Sequence, residues 1–290
     1  MAFPTETVYG VGANALDDAA VARIYEAKGR PATSPLIVHV DSIEMARGVV
    51  REWPDGAEQL ARRFWPGPLT IVLPKADCVP DRVSAGLPTV GLRMPRHPVA
   101  LDLIRRAGVP IAAPSANVFT ALSPTTAAHV RESLGDRVAM VLDGGECEVG
   151  IESTVISLAG PEPLLLRPGM ISQPEVEQIV GPMRVVSDAG SGPHPSPGMH
   201  ARHYSPRTPL LLLDGAALPP GRGALLWIAT PLACARAIRM PAEPDAYAAR
   251  IYEVLHQLDA EGLDWIAVER PPSATMWAGI ADRLERAAAK

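Results

Sequence analysis

Two cations one residue apart, Lys28 and Arg30 in "YEAKGRP", and the polar run Ser115, Asn117, Thr120, Ser123, Thr125 and Thr126 in "APSANVFTALSPTT" are the groups best suited to hold an anion. Each has a plainer use. Cations in the last turn of a helix complement its dipole, yet Lys28 falls seven residues after Val21, on the inward stripe, which aims its ammonium at the domain. "SPTT" suits the cap of a helix beginning near Thr125 with Pro124 at its first position, but capping engages only part of the polar set. On strands, polar residues come singly. In "TVGLRMP" the two-residue period puts Val90, Leu92 and Met94 on one face and Thr89, Gly91 and Arg93 on the other. In "LIVHV", Leu36, Val38 and Val40 lie opposite Ile37 and His39, and Ser153 opens "STVISL". Alone, such a His reads as a core residue and such an Arg as edge solvation. Neither GxxxxGK[ST] nor a GxGxxG in a strand–turn–helix context occurs, so a nucleotide would be held in another way.

These residues need elements to position them. Asp17 and Asp18 cap a helix carrying Val21, Ile24 and Tyr25, which ends at Gly29 and Pro31. Apolar, β-branched runs predict strands at 35–40, 69–74, 89–95, 109–114, 138–145, 153–158 and 163–169. Helical patterns separate several of them, around 43–51, 56–64, 98–107 and 125–134. The alternation predicts an α/β sheet domain. From about 184 to 209 the chain is dense in Pro, Gly, Ser and His without apolar periodicity and reads as a linker. Strands at 210–215, 223–230 and 265–270, a helix near 243–260 and a terminal helix repeat the alternation on a smaller scale.

At 290 residues with 47% hydrophobic content, the chain has the size of two folded domains. A net charge of −5 gives no overall attraction for nucleic acid, so any basic function must be local. Cys78, Cys147 and Cys234 show neither metal spacing nor an even disulfide set, which suits a reducing compartment and predicts a cytoplasmic protein. No stretch approaches the roughly 20 apolar residues of a membrane span.

"FPTETVYGVGA", "EAKGRPATSPLIVHV", "GLRMP", "APSAN", "SPT", "GIESTV" and "LRPG" occur in one order, and together they resemble the YrdC/Sua5 family of threonylcarbamoyl-AMP synthases. "SPGMHARHYSP", residues 196–206, is similar to the linker of the longer, two-domain Sua5 type. The resemblance is dense over residues 3–208 and looser beyond. It implies a YrdC-like twisted mixed-sheet domain over 1–183, a linker and lid over 184–209, and a smaller Rossmann-like α/β domain over 210–290. The implied reaction condenses L-threonine, bicarbonate or CO2, and ATP into threonylcarbamoyl-AMP and pyrophosphate. The product would feed a downstream transferase that forms N6-threonylcarbamoyladenosine in tRNA. By similarity, Thr7, His39, Arg93 and Ser153 would hold threonine. Lys28, Arg30, Ser34, Thr89, Ser115, Asn117, Ser123 and Arg167 would contact ATP, with Lys28 and Arg30 catalytic, and Mg2+ would accompany the nucleotide without a dedicated metal cage.

Within the linker, Met199, His200, His203 and Tyr204 are costly to leave idle in solvent, and the segment is expected to fold back over the nucleotide pocket with His203 or Tyr204 near the adenylate. Two departures stand out. Family members carry a helix and strand ahead of "FPTETVYG", which here begins at residue 3, and Phe119-Thr120 stands where many relatives have Ser-Gly. A hydrogenase-maturation carbamoyl-transfer domain would bring Cys-rich zinc motifs that are absent here. A double-stranded-RNA-binding module, or a weak RNA contact, would call for a basic run that this acidic chain lacks.

Overall fold

The computed structural model describes residues 1–31, 33–186, 202–214 and 217–289; the expectations for Met199 and His200 lie outside them. β1 (Ala2–Phe3) pairs antiparallel with β2 (Gly10–Val11), so the stretch "PTETVY" crosses between them as a loop. β3 (Ala13–Asn14) leads into α1 (Asp18–Lys28). The Asp17 side chain accepts the Ala20 N–H at the start of α1, and the helix ends where Gly29 takes up φ 61°. Next come β4 (Ile37–His39), α2 (Ile43–Arg47), α3 (Asp55–Phe64), β5 (Leu69–Pro74), α4 (Asp81–Ser84) and β6 (Thr89–Arg93). The first unit closes with α5 (Pro98–Ala107), β7 (Ile111–Ala113), α6 (Ala127–Leu134), β8 (Thr154–Ser157), β9 (Leu164–Arg167), α7 (Gln173–Val180) and β10 (Arg184–Val185).

Eight strands form one mixed sheet in the order β10-β9-β8-β5-β6-β4-β7-β3. Leu36, Val38, Val40, Val90 and Leu92 join the main apolar core. The pleat therefore turns Ile37, His39, Gly91 and Arg93 to the other face. The parallel register of β4 and β6 sets His39 beside Arg93.

The second unit comprises β11 (Leu210–Leu213), β12 (Gly223–Trp227), β13 (Arg236–Arg239), α8 (Pro244–Ala260), β14 (Trp265–Glu269) and α9 (Ala278–Ala288). Its four parallel strands run in the order β11-β14-β12-β13, a Rossmann-like arrangement. Its core is not private: Val8, Leu122 and Ile151 of the first unit, with Tyr204, pack in the same cluster as Leu226, Ile251, Tyr252 and Ile280. Among the described residues no helix is long and apolar enough to cross a membrane.

Several sequence expectations are corrected. Residues 138–145 form no strand; only an isolated bridge joins Val141 to Ala2, because the two-residue β1 offers nothing longer to pair with. The helix expected from 125 starts at Ala127 with Thr126, not Ser123, accepting the capping N–H, from His129. Arg184–Val185 pair with β9, so the first sheet continues past the boundary expected at 183. α7 was not expected, although Ser172 and Glu175 form a capping box at its start.

Candidate active site

A cavity opens on the polar face of the first sheet. Its wall includes Thr5, Thr7, Ile37, His39, Arg93, Ser153, Arg30, Ser115, Arg167, His203 and Tyr204, with Glu152 also contributing. The cavity brings together Thr7, Arg30, His39, Arg93, Ser115, Ser153, Arg167, His203 and Tyr204 of the residues expected from sequence, and the loop between β1 and β2 shows what the early threonines do. The Thr5 hydroxyl accepts the N–H groups of Thr7 (3.2 Å) and Val8 (3.3 Å) and donates to the Val8 carbonyl (2.6 Å), knotting the turn. Thr7 then faces the cavity. Glu6, which sequence reasoning missed, turns under the loop: its Oε1 lies 2.9 Å from Arg93 Nη2, and its Oε2 accepts the Arg96 N–H at 3.0 Å. Arg93 also donates from Nε to the Gly67 carbonyl at 3.3 Å, so its guanidinium is fixed before any ligand arrives.

His39 is buried beside that cation, with Phe3 edge-on at 5.9 Å between ring centroids. Burial, and next the Arg93 charge, push its pKa down to about 3, so the imidazole is neutral at physiological pH. The same burial effect, with His256 adding to it, takes His129 to about 4. Below pH ~6.5 the unfolded chain binds protons that these two native imidazoles refuse, so stability falls as pH drops through that window towards the folded values. Each group fully inside its window is expected to remove about 1.4 kcal/mol per pH unit. Urea melts between pH 7 and 5 should show this slope, and His39→Gln should reduce it by roughly half, leaving the His129 share; an unchanged slope would contradict the assignment.

Arg30 is held from below. Its Nη2 donates to Ser34 Oγ (2.5 Å) and to the Pro35 carbonyl (2.9 Å), and the Phe119 ring centroid lies 5.6 Å from its Cζ. Burial lowers its pKa to about 10, which leaves it charged at neutral pH. Arg167, also buried, donates from Nε and Nη2 to the Ser153 carbonyl (3.1 and 3.0 Å), and Ser153 Oγ meets Thr70 Oγ1 at 2.8 Å.

Five expected nucleotide contacts are not on the wall. Lys28 is buried with its ammonium donating to the carbonyls of Ser115 and Asn117, so it points inward as its helical position predicts but holds the 115–117 loop. Asn117 staples the same loop through Nδ2 to the carbonyls of Val118 (2.9 Å) and Ala121 (2.8 Å). Ser34 braces Arg30, and Ser123 donates to Glu152 Oε1 at 2.5 Å. Thr89 shares a face with Arg93 but begins the strand that Arg93 ends, about 13 Å away at the rise of a strand.

His203 and Tyr204 do reach the cavity. Phe119 meets His203 edge-on at 5.8 Å, and Ser205 N–H donates to the Thr120 carbonyl at 2.9 Å. Thr120 (φ 68°) and Tyr204 (φ 59°), side by side at this junction, are both in the left-handed region that favours glycine. Backbone strain of this kind persists where surrounding structure over-determines it. The Tyr204 hydroxyl is buried with no hydrogen-bond partner among the described residues.

Buried guanidiniums around one cavity, on a mixed sheet followed by a segment leading to a parallel-sheet unit, define a two-domain α/β protein with a cationic pocket on its first sheet. The Sua5_yciO_yrdC family model, described as "Telomere recombination", matches residues 1–169, and the Sua5_C model, described as "Threonylcarbamoyl-AMP synthase, C-terminal domain", matches 171–289. The chain belongs to this two-domain Sua5 family. The threonylcarbamoyl-AMP synthase of Bacillus subtilis is 42% identical over 312 residues, spanning 99% of this chain and 89% of the relative. That of Pyrococcus abyssi is 50% identical over 218 residues, 74% of this chain but only 64% of the relative's own length. The crystal structure of P. abyssi Sua5 complexed with L-threonine superposes with a TM-score of 0.92 at 39% identity, covering 99% of this chain and 89% of that one. A variant of that protein with an adjacent His and Tyr both changed to Ala gives a TM-score of 0.91 at 37% identity, covering 99% and 88%.

Proposed function

We propose that this chain is a threonylcarbamoyl-AMP synthase, a nucleotidyltransferase serving tRNA threonylcarbamoyladenosine formation. The observation that carries the reading is the gathering of Arg30, Arg93 and Arg167 in the wall of one cavity, in a chain whose full-length relative has that activity. The threonine amine adds to CO2 to give a carbamate. A carbamate oxygen then attacks the α-phosphorus of ATP, the bond from that phosphorus to the bridging oxygen breaks, and pyrophosphate leaves. An anion approaches an anion, so the protein's task is positioning plus positive charge.

Thr7, neutral His39, Arg93 and Ser153 hold threonine, the molecule with which the related Pyrococcus protein was crystallised. Arg93 offers its carboxylate a planar fork that Lys does not copy. Arg30, Ser115 and Arg167 take the phosphates, where Mg2+ accompanying the nucleotide would offset part of the charge of the departing pyrophosphate. Lys28, Asn117 and Ser34 act through the groups they brace. His203 and Tyr204 form the inner face of a lid over the adenylate; they are the only adjacent His-Tyr pair in the chain. The product passes to a threonylcarbamoyl transferase.

Mass spectrometry of the nucleotide product formed from carbon-labelled bicarbonate tests the chemistry. The expected product carries the label between threonine and AMP. An unlabelled threonyl adenylate would overturn the proposal.

A further inference from the structure

Among the described residues, the largest fully buried side chain is a charged one from the second domain, Arg283 of α9, and it is 2% exposed. It lies directly behind the wall of the cavity. Arg283 Nε donates to Glu152 Oε2 at 2.7 Å, Nη2 to the Glu152 carbonyl at 3.2 Å, and Nη1 to the Pro168 carbonyl at 3.0 Å and to Asp282 Oδ2 at 2.6 Å. Its Cζ sits 5.1 Å from the ring centroid of Tyr204, within cation–π range. Tyr252 of α8 adds a second interdomain donor to Glu152 Oε2 at 3.2 Å.

The docking around this contact is close. A Cβ on Gly279 of α9 would lie 2.8 Å from Gly169 Cα, and one on Gly150 would lie 2.3 Å from the Ala248 carbonyl of α8. Both helices are thus pressed against the segments that carry Glu152 and Arg167.

Glu152 is a carboxylate in the wall of a cavity that has to receive anions. Left uncompensated, it would repel incoming phosphates or capture Arg167, whose charge already acts on it. Building on the synthase reading, we propose that Arg283 is a positioning residue for nucleotide binding: it neutralises and holds Glu152 so that Arg30 and Arg167 face the phosphates, and it seats the Tyr204 ring of the lid. The second domain thereby completes the catalytic wall of the first.

Calorimetry with ATP and with threonine on the full chain tests this, using Arg283→Met, Arg283→Lys and the double variant Glu152→Gln/Arg283→Met. Arg283→Met is expected to weaken ATP binding at least tenfold and threonine binding less than twofold, and Arg283→Lys to restore part of the ATP affinity. The double variant, which removes the Glu152 carboxylate together with the cation that held it, is expected to recover most of it. That recovery is a readout a merely structural role would not move. Where Arg283→Met does not fold, the lysine and double variants carry the comparison. Wild-type ATP affinity in folded Arg283→Met, or a double variant that binds ATP no better than the single or the lysine variant, would overturn the proposal. Failure of the wild-type chain to release pyrophosphate while still binding ATP would instead sink the synthase reading and leave this comparison intact.

Discussion

Replacing Arg93 by Met is expected to abolish measurable threonine binding and to destabilise the chain by about 3–5 kcal/mol, the cost of leaving a buried carboxylate without its cation. The carboxylate is Glu6, whose side chain is 2% exposed and whose Oε1 is 2.9 Å from Arg93 Nη2. Arg93→Lys separates the two effects. It retains a charge for Glu6, so most of the stability should survive. A single ammonium serves Glu6 and a substrate carboxylate together poorly, so threonine affinity should still fall at least tenfold, roughly 1.4 kcal/mol or more. Calorimetry with threonine, paired with urea melts, checks both arms. Unchanged threonine affinity in the lysine variant would return Arg93 to a purely structural role.

Arg30→Ala should lower turnover by about 100- to 1000-fold, the size of a lost electrostatic contact to a developing charge. Threonine affinity is expected to stay within twofold of wild type, because Arg30 is assigned to the phosphates. Some stability goes too, about 1–3 kcal/mol, since the Pro35 carbonyl and Ser34 Oγ lose a buried donor. Single-turnover pyrophosphate release at saturating substrates reads the chemical loss apart from the stability loss. A folded variant with near-normal turnover would remove Arg30 from the reaction.

Which residues share a sheet face was legible from alternation, but that this face lines the cavity was not. Arg93 and His39 lie opposite Leu92 and Val38, as a two-residue period requires. The first helix was legible for the same kind of reason, an aspartate cap and a terminal glycine. Lys28 marks where local pattern stops. Its spacing from Val21 aims it inward, but only tertiary structure decides that what it meets is a pair of loop carbonyls. Glu6 carried a weak signal, a lone acid among buried threonines. Arg283 carried none, since its partner is 131 residues away and nothing about a terminal amphipathic helix distinguishes one of its arginines. The run 138–145 misled because β-branched composition reports a preference for extension and cannot supply a neighbouring strand.

Pyrophosphate release in the presence of Mg2+, with threonine, bicarbonate and ATP each omitted in turn, tests the synthase reading most directly. Release is expected only when all three are present, because the carbamate that attacks ATP has to be built first from the other two. Equal turnover of ATP without threonine would contradict it.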